Sequence, residues 1–232
     1  MGAERSRPAA RVRWGLGDAV IAWVVGLLAT VFVAPGLGDS TKDIVALCVL
    51  ILVQNVGIVA YLAWAARAKG LGSLRADFGF AVSVHDAPWL LGGAALQVAG
   101  LVVLAPLEEV HGHTAKQEVV KVLEHATGAR IALIVLAVAV AAPVAEELLF
   151  RGALLRSLLR RTSSEWSIAI SALVFGLVHL AGDPSIGTLI AFPVLVTLGL
   201  VSGYQAFTTG RLSRSILLHM GFNALTVVFL FV

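Results

Sequence analysis

Seven stretches of the chain, approximately 15–35, 44–66, 88–106, 130–150, 165–181, 187–208 and 213–232, run for roughly 17–23 residues each with hardly a charge. At about 1.5 Å of rise per residue, that is the length at which a helix crosses the hydrocarbon layer of a bilayer. Residues 1–232 are 59% hydrophobic and 13% charged, with a mean hydropathy of +0.93, far outside the soluble range. The predicted fold is therefore all-α: a polytopic membrane protein of about seven transmembrane helices in one integral domain spanning 1–232. The segment 107–129 is expected to be an extracytoplasmic loop with room for a small helix.

The basic residues say which way the helices run. Arg5, Arg7, Arg11 and Arg13 precede the first span; Arg67, Lys69 and Arg75 follow the second; Arg151, Arg156, Arg160 and Arg161 follow the fourth; Arg211 and Arg214 follow the sixth. If every span crosses, 13 of the 17 basic residues fall on one side, as the positive-inside rule requires. This places the N-terminus in the cytosol, the C-terminus outside, and the protein in the cell membrane. The pI of 9.4 is thus topological and calls for no nucleic-acid partner. Composition rich in Ala, Val, Gly and Arg points to a bacterial source. A single cysteine, Cys48, excludes an intramolecular disulfide and has no neighbouring base to make it a nucleophile. The start, MGAERS, matches a myristoylation pattern that a multi-span protein does not need.

Ionisable groups inside apolar spans are costly and by default face a protein interior or a wet cavity. Three stretches qualify. In "VAEELLFRG", 144–152, Glu147 and Arg151 lie one turn apart and can pair, while Glu146 points about 100° away; a solvated helix end is the plainer reading. In "FGLVH", Phe175 and His179 share a face, so the ring can wall a pocket beside the imidazole. In "HMGFN", His219 and Asn223 project together. Each histidine alone could equally serve as a helix–helix hydrogen-bonding group.

Counting residues links the first two. If the chain turns near Thr162 to Glu165, Glu146 precedes the turn by about 17 residues and His179 follows it by about 16, so the two reach similar depth. The fourth helix must then continue through "GALLRSLLRR", which makes the pairing of Arg151 with Glu147 a requirement. His219 sits only about seven residues, roughly 10 Å, past its own turn; a recessed turn at 209–212 would bring it level.

E-E-x-x-x-R, F-x-x-x-H and H-x-x-x-N, in this order, resemble the CAAX protease and bacteriocin-processing (CPBP, or Abi) family of intramembrane endopeptidases. The resemblance covers about 130–232, a catalytic core, and leaves the helices of 1–106 without a motif. It implies spans packed around a polar cavity open to the cytosol, and hydrolysis of peptide bonds in membrane-associated peptides or proteins. By position, Glu146 corresponds to the general base that activates water with His179, and His219 with Asn223 to the oxyanion site. Glu147, Arg151 and Phe175 support them. Amide hydrolysis needs just such a base and such donors.

Zinc is the possible cofactor, on Glu146, His179 and His219, yet no H-E-x-x-H stretch is present and metal-independent chemistry is the favoured expectation. Glu108, Glu109, His111 and His113 form a second candidate metal cluster, more simply read as solvated loop. Asp18, Gln54 and Asn55 are expected to be interhelical hydrogen bonders. The alternative function is non-catalytic: a bacteriocin-immunity or scaffold protein using the same fold and polar core for packing.

Overall fold

The computed structural model describes residues 12–37, 43–111, 123 and 126–231, and all its regular structure is helical. In chain order the helices are α1 Leu16–Val33, α2 Ile44–Lys69, the short α3 Leu74–Phe78, α4 Pro88–His111, α5 Ala129–Leu159, α6 Ser164–Gly182, α7 Ile186–Thr209 and α8 Ser213–Phe229. Among the described residues six helices are long and apolar enough to cross a membrane; α8, at 17 residues, is shorter. Three of the long helices, α2, α6 and α7, begin at a side-chain cap. The Asp43 carboxylate accepts hydrogen bonds from the backbone N–H groups of Val45 and Ala46, and Ser163 and Ser185 cap α6 and α7. Two ranges differ from the sequence reading. α4 runs on to His111, into the expected loop, and α5 continues through 152–159, the extension that the depth count demanded.

The central helix is α5. Of its apolar stretch 56% is buried, against 17–44% for the other five. Its winding is uneven: π-helical over Val135–Ala141 and Leu148–Leu155, with an α-helical insert at Ala142–Glu147. The proline at 143 explains part of this. Ala142 N–H bonds five residues back to Ala137 O, and by the same count the partner of Val138 O would be the N–H that Pro143 lacks.

Hydrogen bonds gather one end of every long helix. Arg13 N–H bonds Lys69 O at 2.7 Å, joining the start of α1 to the end of α2. Arg160 Nη2 reaches Trp14 O at 2.9 Å and Arg156 Nη2 reaches Gly210 O at 2.6 Å, adding the end of α5 and the α7–α8 turn. Leu212 N–H bonds Gly79 O at 3.0 Å, and Arg214 Nε bonds Asp86 Oδ1 at 3.0 Å just before α4. The seven long helices therefore alternate in direction, and Arg13, Lys69, Arg156, Arg160, Arg161, Arg211 and Arg214 share one end. Burial pulls the Arg160 guanidinium below the usual arginine range, where it stacks on Trp14.

Helix contacts are close wherever glycine permits. A methyl on Gly93 of α4 would strike the carbonyl oxygen of Leu218, and one on Gly221 of α8 would strike that of Leu90. The two backbones pack with no side chain between them. This contact fixes α8, and with it His219, against the rest of the bundle. Within the bundle Asp18 of α1 accepts from Tyr61 and Lys69 of α2, an interhelical hydrogen bonder as its position in the first span leads one to expect.

Candidate active site

The site is built on the six-residue α-helical insert of α5, between its two π-helical stretches. Glu147 is fully buried. Its Oε1 lies 3.1 Å from Arg151 Nη1 and 3.1 Å from His219 Nδ1, although the guanidinium is not aligned for a hydrogen bond through that nitrogen. Arg151, equally buried, donates through Nη2 to the carbonyl of Gly199 on α7 at 3.2 Å. Its charge also faces the Phe175 ring, 4.6 Å from the centroid, a cation–π contact in a dry setting. Four helices thus meet around one buried charge pair.

Glu146 faces the other way and is partly open, its side chain 22% exposed. Its Oε2 is 3.9 Å from His179 Nε2 and 3.8 Å from His219 Nε2. That oxygen is closed off from solvent and has no hydrogen-bond partner. The tautomers follow from the far side of each ring. His179 Nδ1 lies 2.8 Å from Phe175 O, which can only accept, and His219 Nδ1 faces the Glu147 carboxylate. Both Nδ1 atoms carry the proton, so in the neutral rings both Nε2 atoms present lone pairs toward Glu146. Three acceptors facing one another call for a proton or a polar ligand among them.

Phe175 is fully buried and packs on both imidazoles, at centroid distances of 4.5 Å to His179 and 5.6 Å to His219. It also meets Phe150 edge-on at 5.2 Å. The α5–α6 hairpin is locked nearby, where Ser171 Oγ donates to Phe150 O at 3.0 Å.

The structure thus brings Glu146, Glu147, Arg151, Phe175, His179 and His219 together. Asn223 sits one turn beyond His219, half-buried, and its Nδ2 donates to Val138 O at 2.8 Å. That is the carbonyl left over by Pro143, so one of its two amide N–H groups is committed to the π-helical stretch. Ser171 and the Gly199 carbonyl were not singled out from sequence. A serine in an apolar helix is a signal that could have been read; a backbone carbonyl carries none. Cys48 is buried and free. His113, the side chains of Glu108, Glu109 and His111, and the N-terminal MGAERS stretch lie outside the described residues.

Comparison with known proteins agrees with the motifs. Residues 128–225 match the family model described as Type II CAAX prenyl endopeptidase Rce1-like. An Escherichia coli protein described as an uncharacterized 24.3 kDa protein is 27% identical over 171 residues, covering 74% of this chain and 73% of its own. No solved structure matches. The matched segment, 128–225, contains all of α5 and runs into the second half of α8, and with it every residue gathered above; over this segment the chain is similar to the Rce1-like CAAX endopeptidases.

Proposed function

We propose that this protein is an intramembrane endopeptidase that cleaves membrane-associated peptides or proteins with water activated by Glu146 and His179. The observation that carries the reading is the contrast between the two adjacent carboxylates: one neutralised in a buried ion pair, the other partly open and flanked by two imidazoles. Glu146 takes a proton from water as the oxygen attacks the scissile carbonyl, with His179 holding the water in place. The developing oxyanion receives hydrogen bonds from Nε2–H of His219 in its doubly protonated form, the Nδ1–H staying on Glu147, and from the second N–H of Asn223. The proton held by Glu146 passes to the leaving amine. Glu147 and Arg151 fix the His219 ring, and Phe175 closes the pocket wall.

We read the reaction as independent of metal. Tetrahedral zinc with ligands at about 2.0–2.1 Å holds its donor atoms roughly 3.3 Å apart, closer than the 3.8 and 3.9 Å between Glu146 and the two histidines. We place seven crossings in the cell membrane, with the arginine-rich end of the bundle, and the opening of the site, toward the cytosol.

The test is cleavage of a membrane-reconstituted peptide library. Glu146→Gln and His179→Ala each lower the rate by about 10²–10⁴-fold with thermal unfolding unchanged, and chelators leave the wild-type rate intact. Cleavage that survives both substitutions would falsify the reading and favour a scaffold role for the same polar core.

A further inference from the structure

A groove of about 380 Å³ runs along the surface between α2 and α5. Leu52, Val56, Val59 and Ala60 line it from α2, and Ala141 and Ala145 from α5. The α2 positions recur at helical spacing, so they form one stripe about two turns long. The lining is apolar except for Asn55, which is 7% exposed. The Asn55 carboxamide has no hydrogen-bond partner among the described residues. A buried amide left this way is unfavourable, and more so in a membrane without water to satisfy it.

Depth decides what can complete it. Asn55 stands 11 residues from the start of α2 and 14 from its end, the middle of a helix long enough to span. Lipid ester and headgroup oxygens sit at the two interfaces, so an acyl chain lying in this groove offers no polar atom at that level. A polypeptide does, through a Ser, Thr, Asn or Gln side chain or a carbonyl where its helix opens. Shape argues against a second copy of this chain: a two-fold contact would set one concave groove against another. Small residues at 60, 141 and 145 admit a close backbone. Ala145 also directly precedes Glu146, so groove and carboxylate share a turn of α5.

We propose that the α2–α5 groove docks a transmembrane segment of the protein substrate, with Asn55 hydrogen-bonding one polar group of that segment at mid-membrane depth. The proposal rests on the peptidase reading and names the class of substrate for it. The full chain carrying Glu146→Gln is reconstituted in nanodiscs. It is titrated with a labelled Leu/Ala transmembrane peptide bearing one central serine, and with its all-apolar counterpart. The serine peptide binds about three- to thirty-fold tighter. Asn55→Leu removes that preference, and Val56→Trp, at an exposed lining position, blocks both peptides without disturbing the fold. Binding unaltered in both variants overturns the proposal. So does native mass spectrometry in which Val56→Trp releases a lipid or a second copy while peptide binding stays the same. A groove effect in a protein whose wild-type form cleaves nothing leaves docking standing and removes the peptidase reading alone. Wild-type cleavage with a KM untouched by Val56→Trp does the reverse.

Discussion

Glu146 and Glu147 are neighbours in sequence and opposites in circumstance. Glu147 has no exposed surface, an arginine 3.1 Å away and an imidazole at the same distance; Glu146 is partly open and faces only histidines. One peptide bond separates them, and about 100° of helical rotation turns one into the packed interior and the other toward the Nε2 atoms of His179 and His219. The lesson is that a carboxylate's work is set by its direction on the helix. The inner one holds the architecture, because removing half of a buried pair strands the other half. The outer one has nothing structural to hold and is free for chemistry.

The sharpest way to break this contrast is Glu147→Gln. The amide still offers an oxygen to His219 but leaves the Arg151 guanidinium without its counter-charge, at a cost of about 3–5 kcal/mol. Thermal unfolding in detergent measures it, and Glu147→Gln with Arg151→Met recovers most of the loss. Unfolding indistinguishable from wild type would mean the two glutamates do not differ in kind. A second pair of neighbours repeats the test in the packing. Gly93 abuts the Leu218 carbonyl, whereas a methyl on Gly92 would meet only the Trp89 ring edge at an ordinary 3.5 Å. Gly93→Ala therefore destabilises by about 1–3 kcal/mol as α4 and α8 are forced apart, and Gly92→Ala is close to neutral in the same unfolding assay. Asn223→Ala is the mildest. Losing its bond to Val138 O costs about 0.6 kcal/mol and at most about 1.7. A fall in kcat well beyond that, measured where the variant is fully folded, assigns the second amide N–H to the oxyanion.

Much of the arrangement could be read before any coordinates. The hairpin of α5 and α6 follows from counting residues on either side of Thr162, because two straight helices leaving one turn climb at the same rate. The continuation of α5 through 152–159 follows from the same count, and it in turn makes the pairing of Arg151 with Glu147 a requirement. The level of His219 does not follow. It depends on a turn held inward by Gly79 and Arg156, residues 133 and 54 positions away from their respective partners Leu212 and Gly210 in no local pattern. Reading Gly210 as a helix end is possible, since its φ of +65° suits glycine; reading how far that end is drawn in is not. The two π-helical stretches were likewise silent, apart from Pro143, because their widening answers to packing against other helices. Asn55 shows the opposite failure. Its position promised an interhelical hydrogen bond, and the structure gives it a groove.

The pairing of Glu147 with Arg151 has a consequence for how the protein is made. Its members are four residues apart on one helix, so they can neutralise each other as soon as that segment leaves the ribosome and enters the translocation machinery. The third partner, His219, is encoded 72 residues later. A nascent chain therefore carries its most expensive charge into lipid already compensated, and the imidazole is received last by a carboxylate whose place was settled long before.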